Sequence, residues 1–144
     1  MTNMIQSAKD QVAALTQAAY ERAAAAGALP AGAEVRATIE IPKDTAHGDY
    51  ASSFAMAGAK ALHMAPRAIA QAIVDHLELE GSYFGKVEIA GPGFLNFTLG
   101  PKWYKDVLSA IETQGAGYGS GAEGAGKKVM VEFVSANPTG PMHM

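Results

Sequence analysis

Cysteine is absent from the 144 residues, which removes disulfides, thiolate metal centres and a cysteine nucleophile from consideration. No apolar run approaches bilayer-spanning length, and the opening MTNMIQSAKD lacks the basic-then-apolar pattern of a secretory leader. A cytoplasmic protein with no membrane association is therefore expected. Charge is sparse: charged residues make up 17% and the net charge is −3, which argues against a bulk electrostatic grip on nucleic acid but leaves room for local recognition of a folded RNA by a few clustered cations. Lys43, Lys86, Lys102 and Lys105 are the cations in or beside loops that could serve this way. Metal-ligand spacing is also missing from His47, His63, His76 and His143, so no metal site is expected. Ser52, Ser53, Ser109, Ser120 and Ser135 lack a nucleophile context such as G-x-S-x-G. His47 with Asp49 has the residue types for acid and base work, yet capping accounts for Asp49 adequately. No complete catalytic constellation is present. The chain does have a 49% apolar content, enough for one packed domain; its length is too short for most two-domain enzymes.

The most informative stretch is 87–99, VEIAGPGFLNFTL. Two alternating runs flank Gly91-Pro92-Gly93, which supply the dihedrals of a tight reversal, so the stretch reads as a β-hairpin. Alternation sends Leu95, Phe97 and Leu99 to one face and Phe94, Asn96 and Thr98 to the other. The first set is core. The second places an aromatic ring two residues from a carboxamide on a face that should be solvated. Such a pair can hold one unstacked nucleobase, the ring stacking and the amide reading an edge. Alternatively, Phe94 tucks under a neighbouring helix and Asn96 merely solvates the sheet.

Around the hairpin, apolar residues at Ile5, Ala8, Val12, Leu15, Ala19 and Ala23 predict an amphipathic helix over 3–26, ended by Gly27. The run EVRATIEI alternates with Val35, Ala37, Ile39 and Ile41 on one face, predicting a half-buried strand over 34–41 closed by Pro42. KDTAHGDY is polar and turn-rich, with Asp49 placed to cap a helix burying Ala51, Phe54, Ala55, Gly58 and Leu62. Pro66 opens a third helix with an Ile69, Ala70, Ile73 and Leu77 stripe. A fourth, over 101–114, presents Trp103, Val107, Leu108 and Ile111.

Residues 115–126, GAGYGSGAEGAG, form a flexible linker by composition. The G-x-G-x-x-G within it, Gly119, Gly121 and Gly124, has neither a strand before it nor a helix after it, so no pyrophosphate cradle is expected. Beyond it, KVMVEFV reads as a strand running into SANPTGPMHM, like the entrance to an α/β nucleotide site without its helix.

VEFVSANPTGPMH, at 131–143, resembles the signature that opens the catalytic domain of arginyl-tRNA synthetases (arginine-tRNA ligases), class I enzymes in which a histidine-x-glycine-histidine element follows. IPKDTAHGDYASSFAMAGAKAL with PRAIAQAI, and GPGFLNFTL, resemble the N-terminal appended domain of the same family. The resemblance implies that Phe94 stacks on a D-loop base of the tRNA elbow and that Asn96 reads its edge. It implies that Glu132, Ser135 and Asn137 line an arginine pocket, and that His143 meets ATP phosphates; a carboxylate and an amide suit a cationic amino acid. The full-length enzyme would use arginine, ATP with Mg2+ and tRNA(Arg), with no obligate protein partner. These 144 residues lack the second glycine-histidine pair, the rest of the nucleotide fold and an anticodon-binding domain, so they are expected to be catalytically inactive and to need no cofactor of their own.

The expected architecture is α+β: about four helices on a three- or four-stranded antiparallel sheet over 1–114, a linker over 115–126, and a stub of a class I Rossmann-type domain over 127–144. Within that stub, Val129, Val131, Phe133 and Val134 lack parallel partners and should be mobile, join the sheet edge or pair with another copy. The alternative function is a stand-alone protein-interaction domain using the same hairpin, with Phe94 as its anchor. Salt separates the two, since RNA binding weakens steeply with ionic strength and an apolar contact barely responds.

Overall fold

A computed structural model of the chain describes residues 3–135, 137 and 139–141. The first element, α1 (Met4–Ala25), starts where the Asn3 side chain accepts the Gln6 N–H at 3.0 Å, a standard N-cap. It buries Ala8, Val12, Thr16, Ala19, Tyr20 and Ala23, a stripe one turn wide, while Ile5 at its start stays exposed. Gly27 then takes a left-handed φ of 77°. The Tyr20 hydroxyl donates to the Pro30 carbonyl at 2.8 Å and accepts the Ala33 N–H at 2.9 Å, which pins the returning chain to the helix.

A four-stranded antiparallel sheet follows, with spatial order β1 (Ile39–Glu40), β2 (Tyr50–Ser52), β4 (Phe94–Leu99), β3 (Phe84–Ala90). The α+β architecture expected from the sequence is the one observed, with four helices and four strands among the described residues. Three local expectations are corrected. The strand predicted over 34–41 is confined to Ile39–Glu40. Thr38 and Ser53 are hooked together, with the Thr38 N–H donating to Ser53 Oγ at 2.9 Å and the Ser53 N–H to the Thr38 carbonyl at 3.0 Å. Before that hook Val35 leaves the sheet and fills the space beside Gly58, where a Cβ would lie 3.2 Å from its methyl. Second, Asp49 caps no helix. It lies just before β2, and its carboxylate accepts the Leu99 N–H at 2.8 Å. Third, residues 128–134, read as a strand, carry no strand pairing within this chain, with Val129, Met130, Val131, Phe133 and Val134 all exposed.

The second helix, α2 (Phe54–Leu62), buries Phe54, Ala55, Gly58 and Leu62, and α3 (Pro66–Asp75) buries Ile69, Ala70 and Ile73, as the spacing predicts. With α1 they cover the sheet face that carries Leu95 and Phe97, both fully buried. Phe84 meets Phe97 edge-on at 5.3 Å between centroids and Tyr50 at 5.9 Å, an aromatic seam linking β2, β4 and β3. The fourth helix, α4 (Pro101–Gln114), forms over the span that Trp103, Val107, Leu108 and Ile111 predict, but it has no buried residue, and Leu108 and Ile111 are exposed. Trp103 is its half-buried contact, its Nε1–H donating to the Met4 carbonyl at 3.4 Å. No described helix is long and apolar enough to cross a membrane.

Candidate functional site

The face of the sheet turned away from the helices is organised by strand register. Directly opposed residues share a face, so the pairs Glu40–Ala51, Ala51–Asn96 and Asn96–Glu88 set one row across all four strands. Asn96 stands in the middle of that row. Ala51 on one side is small and leaves room over it, and Phe94 lies two residues along β4, opposite Ala90.

A cleft of about 370 Å³ opens over this row, at the lower end of the sizes that hold small ligands. One wall is the hairpin: Ala90, Gly91, Phe94 and Asn96. The floor includes Ala51. The other wall is the arm between β1 and β2, contributing Glu40, Pro42, Lys43, Asp44 and His47. The arm is held in a set shape. Asp44 accepts the Ala46 N–H at 2.9 Å and caps the short 3-10 turn Thr45–His47. Gly48, at φ 78°, lies so close to β4 that a Cβ would sit 2.8 Å from the Phe97 carbonyl oxygen, and the next N–H, of Asp49, donates to that same oxygen at 2.9 Å. Together with the Asp49 carboxylate on Leu99, this stitches the arm along β4 beside the cleft.

The expectation of a solvated outer face is thereby corrected. Phe94 is half-buried and Asn96 only 7% exposed, because the arm partly covers them. The Asn96 carboxamide has no hydrogen-bond partner among the described residues, and no fully enclosed side-chain N or O lacks one there, so its polar atoms keep contact with the cleft opening. The ring and the amide are thus neighbours at one opening, as the hairpin alternation implies.

The electrostatics are mixed. Lys86 pairs with Glu88 at 2.8 Å and Lys102 with Asp106 at 2.8 Å, so neither is a free cation beside the cleft, and Lys105 does not line it. Lys43 does. The pocket residues His47, Glu40 and Asp44 were not singled out for binding from the sequence; the one available signal was the density of polar turn formers in KDTAHGDY. Behind the sheet, burial and the neighbouring Asp49 raise the Tyr50 phenol above its ordinary value.

The remaining predicted residues are elsewhere. Glu132, Ser135 and Asn137 are exposed and do not line the cleft; His143 lies outside the described residues. His76 is used in the fold, its Nδ1 2.8 Å from the Ala72 carbonyl, and His63 ends α2 in a left-handed conformation. Among the described residues no group of three or more His, Asp or Glu could hold a metal ion.

Comparison with known proteins adds an independent finding. A family model described as the arginyl tRNA synthetase N terminal domain matches residues 6–99, a span that holds all but the first two residues of α1, with α2, α3, the sheet and every residue of the cleft. Similar curated proteins include the arginine--tRNA ligase of Acetivibrio thermocellus, 44% identical over 144 residues, covering 100% of this chain and 26% of the relative. That of Symbiobacterium thermophilum is 45% identical over 139 residues, covering 96% and 25%. That of Rhodopseudomonas palustris is 50% identical over 119 residues, covering 82% and 20%. The chain spans about a quarter of the length of the curated relatives it matches at full coverage.

Proposed function

Since the chain belongs to the arginyl-tRNA synthetase N-terminal domain family, we propose that it is the tRNA-capturing part of an arginine-tRNA ligase, and that its cleft holds one unstacked base from the D-loop at the tRNA elbow. Phe94 is the stacking platform and Asn96 the edge reader. The observation that carries this is the partnerless Asn96 carboxamide, nearly buried at one opening with a half-buried ring. A planar base with donors and acceptors on its edge satisfies both at once. The longer ligase would activate arginine with ATP and pass it to tRNA(Arg). Glu132, Ser135, Asn137 and His143 are proposed to serve that chemistry together with sequence beyond these 144 residues. The division into a tRNA-binding unit over 1–114, a linker over 115–126 and the beginning of a catalytic unit belongs to the same proposal.

Stacking on an aromatic ring is worth about 1–3 kcal/mol per base, so Phe94→Ala should weaken tRNA(Arg) binding by about 5-fold to 150-fold. The test is equilibrium binding of intact tRNA(Arg) and of transcripts made abasic at one D-loop position at a time. The expected result is that one abasic transcript binds the unmodified chain at least as weakly as intact tRNA binds Phe94→Ala, and loses nothing further with that variant. Equal binding of all transcripts by the unmodified chain would overturn the reading.

A further inference from the structure

Building on the base-cleft reading, we propose that Arg67 is a phosphate anchor for the nucleotide whose base enters the cleft. A terminal guanidinium nitrogen of Arg67 donates to the Gly91 carbonyl at 2.8 Å, and Gly91 lines the cleft on the same wall as Phe94. The neighbouring contact is tight. Gly93, at φ 148°, packs against Pro66 so closely that a Cβ would lie 2.9 Å from the proline ring. The start of α3 and the hairpin turn are therefore locked together, and the guanidinium is held against the turn that carries the cleft-lining Gly91.

A guanidinium offers five N–H donors in a rigid fork, a match for phosphate oxygens. Here one donor is committed to Gly91, and Arg67 is an exposed residue with no ion pair among the described residues. The hairpin wall has no carboxylate among its lining residues, whereas Lys43 across the cleft shares its wall with Glu40 and Asp44. A base stacked on Phe94 stays joined through its ribose to phosphates that must lie outside the opening. A cation already fixed at the rim loses little side-chain freedom on meeting one. The ring and the amide then select the base, and Arg67 adds affinity that is blind to sequence.

The experiment measures tRNA(Arg) affinity across a salt series for the unmodified chain, R67Q, R67K and F94A, with intact tRNA and with the abasic transcript identified above. R67Q should weaken binding of both RNAs alike, by about 5-fold, the size of an exposed ion pair. It should also flatten the log–log salt dependence by about 0.7–0.9, the loss of one phosphate contact. R67K, which keeps the charge, should keep the salt slope, so that a loss of slope confined to R67Q reports the charge and not the brace on the turn. An unchanged slope in R67Q, or an equal loss of slope in R67K, overturns the anchor and leaves Arg67 as a brace of the turn. F94A separates the two ideas: if the unmodified chain already binds intact and abasic tRNA equally and F94A changes neither, the base-cleft reading falls whatever Arg67 does.

Discussion

Replacing Gly48 with alanine tests whether the arm is held against β4 by backbone contact, and the structure sets the size of the effect. At φ 78° and ψ −168° the residue occupies a region open essentially to glycine alone, which costs an L residue about 1–3 kcal/mol. The new Cβ would also sit 2.8 Å from the Phe97 carbonyl oxygen and 3.3 Å from its carbon. Phe97 cannot yield, because it is fully buried and paired to Tyr50 on one side and Val87 on the other. Relief therefore means lifting the arm, at the expense of the Asp49 N–H bond to Phe97 and the Leu99 N–H bond to the Asp49 carboxylate. A neutral bond contributes about 0.5–1.5 kcal/mol and one to a charged group about 1.5–3 kcal/mol. Gly48→Ala should thus cost about 2–5 kcal/mol, a large share of the stability of an ordinary domain. Gly27 supplies the control, since its φ is 77° but nothing lies within 4 Å of an added Cβ. Gly27→Ala should cost about 1–2 kcal/mol, the left-handed penalty alone. Urea unfolding followed by circular dichroism gives both values at matched slope. Equal midpoint shifts for the two variants would refute the clamp.

The same contacts set other outcomes. Ile69→Ala, at a fully buried site on α3, should cost about 2–5 kcal/mol, whereas Leu108→Ala on the exposed face of α4 should change stability by no more than about 0.5 kcal/mol; comparable urea midpoints for the two would contradict the burial pattern. Tyr50, whose phenol is raised by burial first and Asp49 second, binds its proton more tightly folded than unfolded, so its contribution is complete below the ordinary value near 10 and is lost as pH rises through the folded value. Unfolding midpoints measured from pH 9 upward should fall more steeply for the unmodified chain than for Tyr50→Phe, and parallel curves would refute this. Asn96→Leu should leave the melting temperature unchanged or raised while weakening tRNA binding by about 10-fold, because one bidentate edge contact is worth about 1–3 kcal/mol; a large drop in melting temperature would make the amide a structural group instead.

The long periodic elements were legible because their burial is local: α1, α2 and α3 keep most of the stripes that three- and four-residue spacing predicts, though Ile5 is exposed, Ala51 belongs to β2 and Leu77 lies beyond α3, and the β4 alternation places Leu95 and Phe97 inside as read. What escaped was decided by distant partners. β2 is three residues long, too short for alternation to register, and exists because Tyr50, Ala51 and Ser52 pair with β4 more than forty residues later. Asp49 has the right residue type for an N-cap, yet the acceptor role falls on a strand N–H fifty residues away. The apolar positions of α4 have helical spacing, and the described fold leaves Leu108 and Ile111 uncovered. For the site, the ring and the amide were readable from one strand; the opposing wall was not, because a polar turn reveals its place only once Gly48 is seen against Phe97.

The three polar residues buried among the described ones give that wall its meaning. Thr16 donates to the Val12 carbonyl at 2.8 Å and Ser52 accepts the Phe54 N–H at 3.3 Å, so each is satisfied close by along the chain. Asn96 has more hydrogen-bonding capacity than either and, among the described residues, uses none of its side chain. In the centre of a sheet a β-branched or aromatic residue packs better, and an amide left unpaired costs about 1–3 kcal/mol. Burial of this kind is tolerable only where the amide still meets water or a ligand. Ala51 beside it and the arm above it provide that opening, since a larger residue at 51 would take up the room over the carboxamide and an arm lifted from β4 would leave it on an ordinary wet surface. The small neighbour, the arm clamped at Gly48 and the partnerless amide therefore shape one opening, and the base proposed above is a planar hydrogen-bonding guest for it.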